Sequence, residues 1–266
     1  MQIKAKKHFG QNFLKDESIK NKIIQSIPDS KKIVEIGPGL GDLTHGLLAK
    51  CEQLVCFEID SDLIEHLKSR FSHELEGKMQ LINADALKAW GELSKQPYFL
   101  AANLPYYVAT NIILKALRDK NCSGFVVMIQ REVAQKFCAK DTEQNSLSLL
   151  SCLYGECELL FDVGPECFEP APKVTSSVIK LVKNKEPDCD IAGFESFLKS
   201  CFAAPRKTLA KNLLAIAQKE RILRIFEQLG IKESIRAHEL NLALFLKIFD
   251  EVRDAKRQEP KLKRCK

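Results

Sequence analysis

The chain has 266 residues, of which 45% are hydrophobic and 29% are charged, with 41 Lys and Arg against 35 Asp and Glu. This length allows one large domain or a domain with a small partner, and the composition excludes disordered and fibrous classes. Because no apolar run reaches the roughly 18 residues of a spanning helix, and no secretory signal follows the basic N-terminus, we expect a soluble, cytoplasmic protein.

In the first two-thirds of the chain, short apolar runs alternate with amphipathic helical stretches. Isoleucines at positions 19, 23, 24 and 27 form one face of a first helix, which Asp16 could cap. Strands are predicted at residues 33–36, 54–58, 79–82, 98–102 and 125–129, with helices at 43–49, around 63–67 and at 112–117. Strands that alternate with helices predict an α/β fold of the Rossmann-like type, a parallel sheet with helices on both faces.

The pattern changes near residue 184. Residues 184–188 are polar and contain a proline, which is typical of a linker. Beyond them only helical spacing remains, at residues 194–198, 209–214, 222–226 and 242–249. We therefore predict an α/β domain over residues 1–184, whose first 30 residues are a basic segment and a helix. A small helical domain over 185–254 and a basic tail over 255–266 would follow.

Positive charge is concentrated near both ends of the chain. Residues 1–22 carry six lysines against two acids, residues 199–224 carry seven basic residues against one acid, and residues 255–266 carry six against one. Such clusters indicate a polyanionic partner. The ten cysteines form no CxxC pair and the five histidines show no ligand spacing, so we predict reduced thiols and no metal site.

A glycine-rich loop, EIGPGLG at residues 35–41, follows the first strand of the predicted sheet. Glycines let the backbone turn tightly and approach a ligand closely. The spacing is GxGxG instead of the dinucleotide pattern GxGxxG, and no basic side chain is placed to bind a phosphate. The loop is similar to the first motif of S-adenosylmethionine-dependent methyltransferases.

Carboxylates follow the next two strands. Glu58 ends the second strand and could accept hydrogen bonds from both ribose hydroxyls, and Asp85 follows the third strand and could accept from an adenine amino group. Ligands bind at the carboxyl ends of strands in α/β folds. Gly37, Gly39, Glu58 and Asp85 are therefore the predicted cofactor-binding residues.

The sequence Asn-Leu-Pro-Tyr at residues 103–106 follows the fourth strand and resembles the catalytic motif of methyltransferases that act on exocyclic amines of nucleobases. The N6 amine of adenine is a poor nucleophile because its lone pair is delocalised into the ring. The Asn103 side-chain oxygen and the main-chain carbonyl of Leu104 or Pro105 can accept its two N–H bonds and aim the lone pair at the methyl group. Pro105 fixes the loop, and the Tyr106 ring can stack on the base.

Five motifs occur in the order of one family: FGQNFL at 9–14, the glycine loop, the 103–106 loop, FEPAPKV at 168–174 and RKTL at 206–209. Together they resemble the KsgA-type 16S ribosomal RNA dimethyladenosine transferases. The resemblance implies S-adenosylmethionine as the methyl donor and two adjacent adenosines in the 3′-terminal stem-loop of small-subunit rRNA as acceptors. It also implies a monomer that acts in ribosome biogenesis, away from membranes and without a metal.

The resemblance implies roles for further residues. Asn12 and Leu14 would close over the cofactor from the N-terminal segment. Asn103 would bind the methionine end of the cofactor or the target amine. Phe168 would face Tyr106 across the flipped adenine.

Arg206, Lys207 and Lys211 are the basic residues that we expect to bind rRNA, with positions 207 and 211 on one helix face by their i,i+4 spacing. The chain also departs from the family pattern. Tyr107 stands where Asn is usual, Thr175 where Asp is usual, and Ala204-Pro205 where a Gln-Arg pair is frequent. The last departure thins the basic cluster, so it bears on RNA contact and not on the chemistry.

Three alternatives remain at this point. A 23S rRNA adenine dimethyltransferase of the macrolide-resistance type shares the donor and the catalytic loop, but the motifs at 168–174 and 206–209 favour the 16S enzyme. A non-catalytic rRNA-binding assembly factor would use the same basic surface, and the intact residues 103–106 and Glu58 argue against it. A nicotinamide-dependent oxidoreductase is disfavoured by the GxGxG spacing.

Overall fold

A computed structural model describes residues 5, 6, 9–93 and 95–258 of the chain. The chain divides into two compact units, the first formed by residues up to Cys138 and by Gly155–Asn184, the second by Ala139–Tyr154 and the residues from Lys185 on. The segment 139–154 therefore belongs to the second unit, whereas the sequence analysis assigned it to the α/β domain. The structure describes the predicted basic tail, residues 255–266, only as far as position 258.

The described part of the first unit alternates strands and helices. Its strands are β1 (Phe13–Leu14), β2 (Ser30–Ile36), β3 (Cys51–Glu58), β4 (Met79–Asn83), β5 (Tyr98–Asn103), β6 (Cys122–Gln130), β7 (Cys157–Val163), β8 (Phe168–Glu169) and β9 (Ser176–Val182). Its helices are α1 (Glu17–Ser26), α2 (Thr44–Leu48), α3 (Ser61–Arg70), α4 (Trp90–Leu93), α5 (Ala109–Arg118) and α6 (Arg131–Phe137). Each strand and helix predicted in this part is present, and Asp16 caps α1 by accepting the Ile19 N–H at 3.1 Å.

Seven strands form one sheet in the order β4-β3-β2-β5-β6-β9-β7. Neighbours from β4 to β6 are parallel, which confirms the predicted sheet, and β9 runs antiparallel to both β6 and β7. Nearly all residues at 33–36 and 54–58 are buried, as expected for strands covered on both faces. The strand order reverses between β2 and β5, and ligands of open α/β sheets bind at that point.

A second, two-stranded sheet fixes the N-terminal segment, which is the described residues up to position 14, to the chain ahead of β9. In it β1 pairs antiparallel with β8, with Leu14 opposite Phe168 and Phe13 opposite Glu169. Leu14 and Phe168 are both buried in a core that also contains residues of α1, α2 and one face of the large sheet. The N-terminal segment is therefore held by burial of apolar side chains as well as by backbone pairing.

The described part of the second unit is helical, as the sequence predicts. It contains α7 (Ser146–Cys152), α8 (Ile191–Cys201), α9 (Leu209–Leu213), α10 (Lys219–Gln228) and α11 (Leu242–Gln258). Phe194 of α8 packs edge-to-face on Phe249 of α11, with ring centroids 5.4 Å apart. The helical spacing at 209–214 extends one residue beyond the end of α9, and Leu214 is 52% exposed. No helix among the described residues has the length and apolar character to cross a membrane.

Candidate active site

The glycine loop follows β2 at the point where the strand order reverses. Gly37, Gly39 and Gly41 have φ values of 68°, 61° and 84°, a region that glycine adopts without strain. A Cβ on Gly37 would meet nothing within 4 Å, whereas one on Gly41 would lie 2.5 Å from the ring of Phe71. The first glycine thus leaves space for a ligand, and the third allows the loop to pack against Phe71.

Glu58 ends β3 beside this loop and is only 4% exposed. One carboxylate oxygen accepts the Gly39 N–H at 3.2 Å and the other accepts the Asp60 N–H at 2.9 Å. Burial raises the pKa of Glu58, although these backbone hydrogen bonds favour the charged form. The carboxylate is therefore fixed in orientation at the strand end.

Glu35 is the second buried carboxyl of this region, at 2% exposure. The Thr44 hydroxyl donates to it at 2.7 Å and the Cys56 thiol at 3.5 Å. Burial raises the pKa of Glu35 from 4.5 to about 7, because desolvation penalises the charged form more than these two bonds favour it. Near neutral pH this side chain is therefore close to half protonated.

These groups line one cavity of the first unit. The cavity, with the solvent at its open mouth, measures about 1190 Å³. Among the predicted site residues, it brings together Asn12, Leu14, Gly37, Gly39, Glu58, Asp85, Asn103, Pro105 and Tyr106. Asp85 reaches it from the end of β4, with one carboxylate oxygen accepting the Leu87 N–H at 2.9 Å. The structure thus gathers the ends of four neighbouring strands and the N-terminal segment around one space.

The loop at residues 103–106, named the catalytic loop after the motif that it resembles, is connected to two other parts of the unit. The Asn103 amide nitrogen donates to the Asn12 carbonyl at 3.2 Å, which joins the loop to the N-terminal segment. The Tyr106 hydroxyl lies 2.8 Å from the Ser176 hydroxyl. The Pro105 carbonyl accepts the Val108 N–H at 3.1 Å, whereas the Leu104 carbonyl accepts no hydrogen bond from the described residues. Of the two carbonyls considered from the sequence, that of Leu104 is therefore the available acceptor.

The N-terminal segment is also held by an ionic contact that the sequence analysis missed. Lys6 Nζ lies 2.6 Å from Asp60 and 2.7 Å from Asp62, and the Gln11 amide donates to Asp60 at 2.9 Å. Burial opposes ionisation of Asp60, but hydrogen bonds from Lys6 and Gln11 outweigh it and lower the pKa of this carboxyl. The only sequence signal was the position of Asp60 as the N-cap of α3.

Phe168 occupies a different place from the one that the family resemblance implies. Its side chain is 1% exposed and packs in the core with Leu14, and it does not line the cavity. The pairing of β1 with β8 places Phe168 opposite Leu14. In this structure Phe168 packs in one core with Leu14 of the N-terminal segment, and its contact with an acceptor base stays a prediction.

The basic residues of the second unit also differ in part from expectation. Arg206, Lys207 and Lys211 are all exposed. However, α9 begins at Leu209, after the N-cap Thr208, whose hydroxyl accepts the Lys211 N–H at 3.4 Å. Lys207 therefore precedes the helix, and the prediction that positions 207 and 211 share a helix face is wrong. Among the described residues, no group of three or more His, Cys, Asp or Glu side chains could hold a metal ion.

At the switch point of its sheet, the chain thus brings the glycine loop, the carboxylates at two strand ends and the 103–106 loop together around one cavity. The model of the ribosomal RNA adenine dimethylase family matches residues 2–254, and the chain belongs to this family. It is an rRNA methyltransferase.

Individual relatives agree with this assignment. The chain is 54% identical to "Ribosomal RNA small subunit methyltransferase A" of Campylobacter fetus, over 97% of this chain and 98% of that protein. It is 47% identical to the protein of the same name from Aliarcobacter butzleri, over 96% and 98% of the two chains.

Two solved structures resemble the structure of this chain. A dimethyladenosine transferase from Plasmodium falciparum superposes with a TM-score of 0.80 at 25% identity, covering 92% of this chain and 98% of that one. The 23S rRNA methyltransferase ErmE gives a TM-score of 0.73 at 23% identity, covering 91% and 100%. The likeness to ErmE shows a shared fold.

Proposed function

We propose that the chain dimethylates N6 of two adjacent adenosines in the 3′-terminal stem-loop of 16S rRNA, with S-adenosylmethionine as donor, as a step of ribosome biogenesis. The observation that carries this proposal is that Asn103 and the glycine loop with Glu58 line the same cavity. The relatives named small subunit methyltransferase A favour 16S over 23S rRNA as the substrate.

The cavity fits S-adenosylmethionine in its chemistry. The open space beside Gly37 and the fixed carboxylate of Glu58 suit a ribose, and Asp85 at the end of β4 would accept from an adenine amino group. The described residues of the lining include no basic side chain, in keeping with a ligand that has no phosphates. Asn12 and Leu14 would cover the cofactor from the N-terminal segment.

When bound, S-adenosylmethionine supplies an electrophilic methyl group. The Asn103 amide nitrogen is already bonded to Asn12, which leaves the side-chain oxygen of Asn103 to accept one N–H of the adenine amine. The Leu104 carbonyl would accept the other. Two acceptors fixed in this way orient the nitrogen lone pair and stabilise the positive charge that develops on it, so no strong base is required. Tyr106 would stack on the flipped base.

The remaining assignments concern the partner and the place of action. Arg206, Lys207 and Lys211 of the second unit would contact the phosphate backbone of the rRNA, because exposed basic side chains bind phosphate without reading sequence. The chain would act as a monomer on the small subunit or its precursor, in the cytoplasm.

The test is methyl transfer from labelled S-adenosylmethionine to unmethylated small subunits, followed by mapping of the label. We expect label at N6 of two adjacent adenosines near the 3′ end of 16S rRNA. Asn103→Ala should slow single-turnover transfer by about 100-fold or more, by analogy with the loss of one fixed group that stabilises transition-state charge, while rRNA binding stays unchanged. Asn184→Ala, which removes an exposed amide away from the cavity, is the matched control. Label on 23S rRNA, or wild-type transfer by Asn103→Ala, would contradict the proposal.

A further inference from the structure

The catalytic loop has a buried hydrogen-bond partner on a strand that the sequence analysis did not include. Ser176, the first residue of β9, is 1% exposed, and its hydroxyl lies 2.8 Å from that of the half-buried Tyr106. A buried hydroxyl without a partner costs stability, so this bond satisfies both groups at once. The two residues are 70 positions apart in the chain and meet only in the folded sheet.

The direction of β9 explains why Ser176 reaches the site. Because β9 runs antiparallel to β6, its first residue lies at the carboxyl edge of the parallel strands, opposite Gln130 at the end of β6. Asn103 ends β5 at the same edge and pairs with Met128. A parallel strand in this position would have brought its last residue to the loop instead.

The next residue provides a comparison within the same strand. Successive strand side chains point to opposite faces, so Ser177 faces away from Tyr106. Its hydroxyl donates to Asp162 at 2.6 Å, and it is as buried as Ser176. Only the first of the two adjacent serines is bonded to the catalytic loop.

We infer that Ser176 is a positioning residue for methyl transfer, which holds the Tyr106 ring at the place where the acceptor adenine would stack on it. A tyrosine side chain rotates about two torsions, χ1 and χ2. The hydroxyl oxygen lies on the axis of χ2, so a hydrogen bond to it restricts χ1, the torsion that sets where the ring lies. The inference rests on the proposed function, because Tyr106 contacts the acceptor base only in that function. Ser176 itself does not line the cavity, so its effect belongs to the transfer rate and not to cofactor affinity.

The experiment is single-turnover transfer to unmethylated small subunits by wild type, Ser176→Ala, Tyr106→Phe and the double variant. Each single variant should transfer about 2- to 13-fold more slowly, the equivalent of one neutral hydrogen bond, with an unchanged Kd for S-adenosylmethionine by calorimetry. The double variant should be no slower than the slower single variant, because both changes remove the same bond. Ser176→Thr, which keeps a hydroxyl, should restore the rate, and Ser177→Ala should match wild type.

The outcomes separate this inference from the proposed function. A wild-type chain that transfers no methyl to small subunits contradicts both. An active wild type with a Ser176→Ala variant of equal rate overturns the inference alone, as do losses that multiply in the double variant, which would mean that Ser176 acts through the sheet. If Ser176→Ala does not fold, Tyr106→Phe decides, because a wild-type rate there shows that the hydroxyl bond has no part in transfer.

Discussion

Glu58 and Glu35 are both buried carboxyls on the cavity wall, but they bond to different partners. Substitution of each should therefore change a different property of the protein. Glu58 is oriented by two backbone N–H groups at a strand end, where a ribose would lie. Glu35 is bonded to Thr44 and Cys56 side chains and has a pKa of about 7. We therefore expect Glu58 to determine cofactor affinity and Glu35 to determine how stability depends on pH.

Glu58→Gln should weaken S-adenosylmethionine binding by about 10- to 150-fold, because hydrogen bonds to a charged group contribute roughly 1.5–3 kcal/mol. The measurement is calorimetric titration of the variant with the cofactor, and rRNA binding should not change. Glu52→Gln, an exposed carboxyl at the other end of β3, is the matched control. An unchanged Kd in Glu58→Gln would remove Glu58 from the cofactor site.

Glu35 should make the cofactor-free protein less stable as the pH rises. The pKa of Glu35 is 4.5 in the unfolded chain and about 7 in the folded protein. Between these two pH values the native state therefore binds more protons than the unfolded state. The free energy of unfolding therefore decreases as the pH rises from about 4.5 to about 7. The total decrease is about 3 kcal/mol, at 1.36 kcal/mol per pKa unit. The stabilisation by Glu35 is fully present only below this pH range.

Glu35→Gln tests this, since the amide stays neutral and can still accept from Thr44. Denaturant unfolding at pH 5, 6, 7 and 8 should show a smaller decline for the variant than for wild type, and the variant should be the more stable protein at pH 8. Glu52→Gln should keep the wild-type decline. An equal decline of the free energy of unfolding with pH in wild type and Glu35→Gln would show that this carboxyl does not cause the decline.

The N-terminal segment is an element whose position depends on few contacts. Beyond the β1–β8 pairing, Asp60 bonds to Lys6 and Gln11, and Asn103 bonds to the Asn12 carbonyl. Because this segment forms one wall of the cavity, we expect its fixation to matter more for cofactor binding than for global stability.

Lys6→Met should weaken S-adenosylmethionine binding a few-fold and leave the melting temperature nearly unchanged. The variant breaks the contacts with Asp60 and Asp62 but keeps the cap that Asp60 provides for α3. Lys15→Met, which removes an exposed lysine 3.8 Å from Glu169 in the same part of the chain, is the control. Cofactor titration and thermal unfolding of both variants are the measurements. Equal affinities in Lys6→Met and wild type would mean that the other contacts of the segment fix it without Lys6.

The elements that the sequence predicts are those with strong local patterns. Runs of buried residues mark β2 to β6, and the strand-end rule then places Gly37, Glu58, Asp85 and Asn103 near one another. The two-residue strands β1 and β8 are too short to show a period, and the direction of β9 depends on pairing with β6, some 50 residues earlier. For that reason the sequence could not predict that Ser176 bonds to Tyr106, or that Asp60 bonds to Lys6 and Gln11.

At the level of the whole chain, the two units have separate tasks in the proposed function. Every described residue that lines the cavity belongs to the first unit, whereas the exposed Arg206, Lys207 and Lys211 belong to the second. Cofactor affinity and the electrostatic part of rRNA affinity should therefore respond to different substitutions.

Replacing Arg206, Lys207 and Lys211 together by Ala should weaken binding to unmethylated small subunits. If the three side chains lie against phosphates, the slope of log K against log salt should flatten by about 0.7–0.9 per lost contact, because fewer condensed counterions are released. The measurement is a salt titration of subunit binding, with S-adenosylmethionine affinity as an internal check that should stay constant. A variant with Ala at Lys185, Lys232 and Lys247, three exposed lysines of the same unit, loses the same charge and should keep the wild-type slope. Equal slopes for the first variant and wild type would mean that these residues form a solvated face and that the first unit holds the rRNA.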